Sequence, residues 1–223
     1  MNCIVTAGPT YQPIDDVRRL TNFSTGRLGT ELAACLAAKG HSVTLLQGYY
    51  SSFRDPAAAQ KIIEFSTPAD LLSKLRSLTD GSVNAVFHAA AVGDFEFGKV
   101  WTRLPAGDLK ELSAKKIPSR QDGLLVELTP TLKIIGRLRD IFPEALIVGW
   151  KFETDGDLET ASKKGRQQIS ENRTDVCVLN GPAYGDGYGV LPVEGDCEHQ
   201  PTADDLFQTL EQRLVRKSHR DRP

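Results

Sequence analysis

The residues able to do chemistry stand at the ends of short apolar runs. The first run ends in Ala7-Gly8-Pro9-Thr10. A polar stretch follows, and Asn22-Phe23-Ser24-Thr25-Gly26-Arg27-Leu28-Gly29 then opens a helical pattern. Ser24 or Thr25 can cap such a helix and leave N–H groups of its first turn bare. Gly26 and Gly29 let a ligand and a neighbouring strand come close to the backbone. Bare N–H groups at a helix start attract anions, phosphate above all; a capped helix with two packing glycines would use the same residues. A later run ends in Ala89-Ala90-Ala91-Val92-Gly93-Asp94-Phe95. Its small side chains allow a flat ligand to lie against backbone. Asp94 can bind a ribose, an amine or Mg²⁺ through water, or it can cap the next turn. Trp150, inside Gly149-Trp150-Lys151-Phe152-Glu153-Thr154, can stack on a base or close the core. Lys163, Lys164 and Arg166 can clasp phosphates or form a solvated helix face, and Lys115-Lys116 reads as solvated surface. Jointly these residues offer phosphate donors, a flat platform and polar caps, the ingredients of a ligand site.

The elements that must position them follow from periodicity. Continuous apolar runs at 3–7, 42–46, 62–65, 85–91, 145–150 and 176–180 read as strands buried on both faces. Helical spacing covers 26–39, 68–78, 130–141 and 158–171. This alternation predicts an α/β fold with a mostly parallel sheet and helices on both faces. Right-handed crossovers collect the strand C-terminal ends along one edge, and ligands bind there, where the strand order reverses. Residues 95–125, mixed in charge and broken by Pro and Gly, read as an irregular segment with a task of its own. Residues 181–201, rich in Gly, Pro and Asp, read as a hairpin or loop. The tail from Arg213 reads as a frayed helix end.

Composition excludes several classes. The 223 residues fit one domain, large enough to bury its core without a staple. Twenty-seven Lys and Arg against 29 Asp and Glu give a net charge of −2, which argues against a nucleic-acid binder. No apolar run is long enough to span a membrane, and the first residues lack the pattern of a signal peptide, so a cytoplasmic protein is expected. Cys3, Cys35, Cys177 and Cys197 form no C-x-x-C pair, and the four histidines show no i, i+4 pairing; a structural zinc or disulfide framework is not expected. A dinucleotide fingerprint wants a short glycine turn and an acidic residue some 20 positions later. Here the connection is too long and the second strand ends in Leu45-Leu46-Gln47-Gly48-Tyr49, which disfavours an NAD(P)-dependent reductase.

The series V-T-A-G-P-T (5–10), V-R (17–18), N-F-S-T-G-R-L-G (22–29), A-A-A-V-G-D-F (89–95), K-K-I-P-S (115–119), G-W-K-F-E-T (149–154) and D-V-C-V-L-N (175–180) resembles phosphopantothenate–cysteine ligase, also called phosphopantothenoylcysteine synthetase. The motifs keep their order across residues 3–180. The likeness is to the stand-alone form, without a flavin-dependent decarboxylase half. The resemblance implies a Rossmann-like doubly wound fold, a homodimer, and a ligase of coenzyme A biosynthesis. In such an enzyme a nucleoside triphosphate, CTP or ATP, activates the carboxylate of 4′-phosphopantothenate with Mg²⁺ as cofactor, releasing pyrophosphate. The amine of cysteine then attacks the acyl-nucleotidylate and nucleoside monophosphate leaves.

Carried over by position, the resemblance makes Asn22 and Lys116 catalytic, Asn22 holding the acyl intermediate and Lys116 sitting on a mobile flap. Gly8, Ser24, Gly26, Gly29, Ala90, Ala91, Asp94, Trp150, Lys164 and Asn180 become nucleotide-binding, and Arg18 joins Asn22 on the substrate side. Trp150 stands where the family usually has Phe. Pro118 and Ser119 follow the flap lysine where fused bacterial enzymes carry more lysines, and Thr129-Pro130-Thr131 replaces an N-P-D-type turn. Both departures leave CTP and ATP open. The irregular 95–125 segment is the expected flap and dimer surface. A catalytically silent nucleotide-binding module of the same fold is the alternative from another class.

Overall fold

The structure, a computed structural model, describes residues 1–79, 82–112 and 123–220. In chain order it runs β1 (Asn2–Ala7), β2 (Tyr11–Pro13), β3 (Arg19–Thr21), α1 (Arg27–Ala38), β4 (Ser42–Gly48), β5 (Lys61–Phe65), α2 (Pro68–Arg76), β6 (Ala85–His88), β7 (Phe95–Arg103), β8 (Leu109–Glu111) and β9 (Leu124–Pro130). A 3₁₀ turn at Ile135–Arg137 leads into α3 (Leu138–Ile141), followed by β10 (Leu146–Phe152), α4 (Leu158–Asn172), β11 (Val176–Asn180), β12 (Tyr188–Pro192), β13 (Glu198–Gln200) and α5 (Ala203–Arg220).

Eight strands form the main sheet in the order β13-β12-β11-β10-β6-β1-β4-β5. The six from β11 to β5 are parallel, and β12 and β13 extend that sheet antiparallel. The chain leaves β1 for β4 and β5 on one side, then returns to β6 on the other. The order therefore reverses between β1 and β6, the switch point of a doubly wound fold.

The strands alternate their side chains between two covered faces. Val5, Val43, Val148 and Val178 meet Leu32 and Leu36 of α1 and Leu206, Phe207 and Leu210 of α5. On the other face Ile4, Leu46, Val86 and Ile147 meet Leu71 and Leu75 of α2, Ile134, and Leu138 of α3. Ile169 of α4 packs on Cys177, Leu179 and Leu191. Each such side chain contributes about 1.5–3 kcal/mol by leaving water, so these layers hold the sheet edge in place.

Three expectations need correction. Residues 95–125 are not irregular where described: β7, β8 and β9 make a separate three-stranded antiparallel sheet. Their period-two pattern is broken by a register shift between Phe97 and Val100, which hides the strand from a periodicity reading. The helix expected over 130–141 is only the 3₁₀ turn and α3. Thr131 lies outside both helix and strand, its backbone N–H donating to Asp94 O at 2.9 Å and its hydroxyl to Gly93 O at 2.5 Å. The run 85–91 ends regular pairing at His88, and beyond it Ala91 forms a single parallel bridge with Pro9. The 181–201 stretch does contain a hairpin, β12 with β13.

Candidate active site

A cleft of about 750 Å³ opens over the switch point, within the range usual for small-molecule sites. Three chain segments wall it: 22–29, 88–94 and 131–135. Trp150, Lys151, Phe152, Gln168 and Asn180 close its far side. Backbone bonds knit these segments. Ala91 N–H donates to Gly8 O at 3.0 Å, and Thr10 N–H donates to Ala91 O at 3.1 Å. The Thr10 hydroxyl accepts from Gly93 N–H at 2.8 Å. Asn22 is tied to the same loop, its amide donating to Val92 O at 3.4 Å. The loop carrying Ala90, Ala91 and Asp94 is thus held from β1, from Asn22 and from Thr131.

The amino end of α1 enters this cleft without a cap. Gly26 takes the N-cap position with φ 80°, no side chain caps the helix, and its first turn holds no acidic residue. Thr25 only accepts from Arg27 N–H at 3.2 Å, so capping by Ser24 or Thr25 takes this weaker form. By contrast Thr67 caps α2 and Asp157 caps α4, each with an acidic residue in the first turn. The partial positive charge of α1 is left for another anion. Gly29 lets the helix seat on β1, since an added Cβ would lie 2.7 Å from Ala7 Cβ and 3.1 Å from Thr6 O.

Charge in the cleft is mostly positive. Arg27, Lys133 and Lys151 line it, and Asp94 is its one carboxylate among the described residues, 4.0 Å from Lys133 Nζ. Trp150 Nε1 and Asn180 Oδ1 are buried with no hydrogen-bond partner, a donor and an acceptor of opposite sense on adjoining strands. His88 lies on the floor. Burial pushes its pKa down to about 4, so the ring is neutral.

Of the residues expected from sequence, Asn22, Ser24, Gly26, Gly29, Ala90, Ala91, Asp94, Trp150 and Asn180 line this one cleft. Gly8 stands behind it with φ 85°, packed on Gly26 and Ser51. Lys164 is ion-paired with Glu153, and Arg166 donates to Pro192 O, Val193 O and Gly195 O, a structural clamp. Arg18 sits in the β2–β3 hairpin, with Nη2 2.5 Å from Asp15. Lys116 lies outside the described residues. Sequence reasoning did not find His88, Gln168 or Lys133. Gln168 could have been sought through Gly149, because a Cβ there would lie 2.5 Å from the Gln168 amide nitrogen.

Comparison with known proteins shows the family. The family model described as the DNA/pantothenate metabolism flavoprotein C-terminal domain matches residues 1–190. The chain belongs to this family. The chain is similar to the coenzyme A biosynthesis bifunctional protein CoaBC of Thermococcus kodakarensis, 34% identical over 79% of this chain, and to that of Bacillus subtilis, 31% identical over 83%. The chain spans 40% and 42% of the length of these two relatives. The DNA/pantothenate metabolism flavoprotein from Streptococcus pneumoniae shares the fold with a TM-score of 0.82 at 22% identity, over 96% of this chain and 98% of that one. A Cab2 mutant in complex with phosphopantothenate-cysteine shares it with a TM-score of 0.70 at 20% identity, over 98% and 88%. The doubly wound fold expected of the family is the one observed.

Proposed function

We propose that this chain is a phosphopantothenate–cysteine ligase acting through an acyl-nucleotidylate. The observation that carries the reading is the uncapped, acid-free amino end of α1 opening beside Asn22 into a cleft at the switch point, in a chain of this family. The relatives named for coenzyme A biosynthesis and the Cab2 complex with phosphopantothenate-cysteine supply the substrate class.

In this reading the triphosphate lies along Ser24, Gly26 and Gly29, with Ala90, Ala91, Trp150 and Asn180 around the nucleoside. A carboxylate oxygen of 4′-phosphopantothenate attacks the α-phosphorus, and pyrophosphate leaves. The cysteine amine then attacks the acyl carbon, the nucleoside monophosphate leaves, and the amine loses a proton. Asn22 donates its amide to the acyl oxygen as charge develops on it. The resemblance assigns Lys116, which lies outside the described residues, an ammonium that neutralises the reacting anions. In the same reading Arg18 serves the pantothenate side. Gly8 acts behind the phosphates by allowing Gly26 its position, and Lys164 acts through Glu153.

No group of three or more His, Cys, Asp or Glu side chains among the described residues can hold a metal ion alone. That fits Mg²⁺, which is ordinarily held by one or two carboxylates together with substrate phosphates. Asp94 is the carboxylate able to take such a position, and the ion would supply charge neutralisation at the pyrophosphate leaving group.

We further read the chain as one nucleotide-binding ligase domain that works as a homodimer in the cytoplasm. Exposed Val17 and Leu20 of the β2–β3 hairpin and Phe95, Leu109, Leu124 and Leu128 of the β7–β8–β9 sheet support a self-association surface. No helix among the described residues is long and apolar enough to cross a membrane.

The test is pyrophosphate release on mixing protein, 4′-phosphopantothenate, cysteine, Mg²⁺ and either CTP or ATP. Release dependent on phosphopantothenate, with amide formed, is expected for at least one triphosphate. Triphosphate binding without release would mark a silent module. Tight NADPH binding without release would mark a reductase.

A further inference from the structure

Thr6 on β1 and His88 on β6 are register partners. Thr6 Oγ1 lies 2.9 Å from His88 Nδ1 and accepts from Ala90 N–H at 3.2 Å. Thr6 is fully buried, so its own hydroxyl proton needs an acceptor, and Nδ1 is the acceptor in reach among the described residues. The hydroxyl therefore donates to Nδ1, and the ring proton resides on Nε2. His88 is only 6% exposed, and it lines the cleft. Its Nε2 has no partner among the described residues, yet it is not one of the orphaned atoms sealed inside the protein.

The surroundings define what this N–H suits. His88 faces the α2 and α3 side of the sheet, as Val86 does, and Gly149 is its register partner on β10. Ile135 and the uncharged Gln168 amide lie over Gly149, where an added Cβ would meet them at 2.7 and 2.5 Å, and Ile134 also lines the cleft. The amino end of α1, with Arg27, lies on the opposite face. A phosphate oxygen placed over an uncharged ring among isoleucines would be poorly compensated, whereas an uncharged acceptor would not.

We propose that His88 is a specificity residue, a tautomer-locked donor whose Nε2–H recognises an uncharged acceptor of the bound nucleoside: a base carbonyl, a ring nitrogen or a ribose oxygen. This rests on the nucleotide reading above. Thr6 is its positioning residue. Two measurements test it. In the ligand-free protein, ¹⁵N correlation of the imidazole should give a bare Nδ1 and a protonated Nε2, and Thr6→Val should release that preference. A protonated Nδ1 in the wild-type protein would overturn the proposal whatever the ligand.

The second measurement is calorimetric binding of CTP, ATP and inorganic tripolyphosphate. His88→Phe should weaken the nucleoside triphosphate that wild type binds by about tenfold and leave tripolyphosphate unchanged. His88→Gln, which keeps an amide donor at similar reach, should recover much of the loss. Should the Phe variant not fold, His88→Asn, whose amide falls short of the cleft, serves as the removal. Equal weakening of tripolyphosphate, or no weakening at all, overturns the role of His88 alone. Wild type that binds neither CTP nor ATP overturns the functional reading and this inference together.

Discussion

Asn22 shows how little a single side chain must do when its surroundings are set. Its amide is already tied to the loop of Ala90 to Asp94, so it enters the cleft with restricted freedom. Replacing it with aspartate keeps the shape and removes the N–H donor. Asn22→Asp should accumulate acyl-nucleotidylate and slow amide formation by about 10²–10³, read by quenching single turnovers and separating the two products. Lys116→Gln should lower turnover while leaving the thermal midpoint where it was; a collapse of stability would make Lys116 structural. Gly29 answers to packing. Gly29→Ala forces a methyl group to 2.7 Å from Ala7 Cβ, between a helix and a central strand that cannot both yield. A loss of about 1–3 kcal/mol in urea unfolding is expected.

At the scale of elements, the far wall of the cleft depends on one carboxylate. Glu153 follows β10 and is held by Lys164 of α4 and by Lys151 at 3.0 Å. Burial pushes its pKa up, but the two ammonium groups outweigh burial and hold it below the ordinary 4.5. A carboxylate lowered in the folded state gives stability that is full above its ordinary range and is lost as pH falls toward its folded value. Glu153→Gln should therefore lower the thermal midpoint at neutral pH and flatten its decline on acidification. Five of the six parallel strands were legible because burial on both faces demands unbroken apolar runs; the expectation failed for β5, which lies at the sheet edge with Phe65 buried and Ile62 39% exposed. The cleft was legible because Gly26, Gly29 and the Ala89–Ala91 run are small where backbone must approach a ligand. The β7–β8–β9 sheet was not, since one register shift at Phe97 cancels its alternation. His88 was not either. A lone histidine ending an apolar strand has no pattern, and its meaning comes from Thr6, which lies 82 positions away.

Among the described residues, the exposed apolar side chains Val17, Leu20, Phe95, Leu109, Leu124 and Leu128 lie on the β2–β3 hairpin and the outlying sheet. If that surface joins two copies, sedimentation at micromolar concentration should give a dimer, and Leu128→Glu should yield monomers. The thiols are distributed to opposite effect. None of the four cysteines lines the cleft, all four are unpaired, and burial pushes Cys3 and Cys177 up to about 12. A catalyst that handles an activated acyl group next to free cysteine runs two hazards: acylating its own sulfur, and having its covalent crosslinks reduced by the amino acid it consumes. For the ligase proposed above, none of these four cysteines stands at the cleft to trap the acyl group and none forms a bridge that the cysteine co-substrate could cleave.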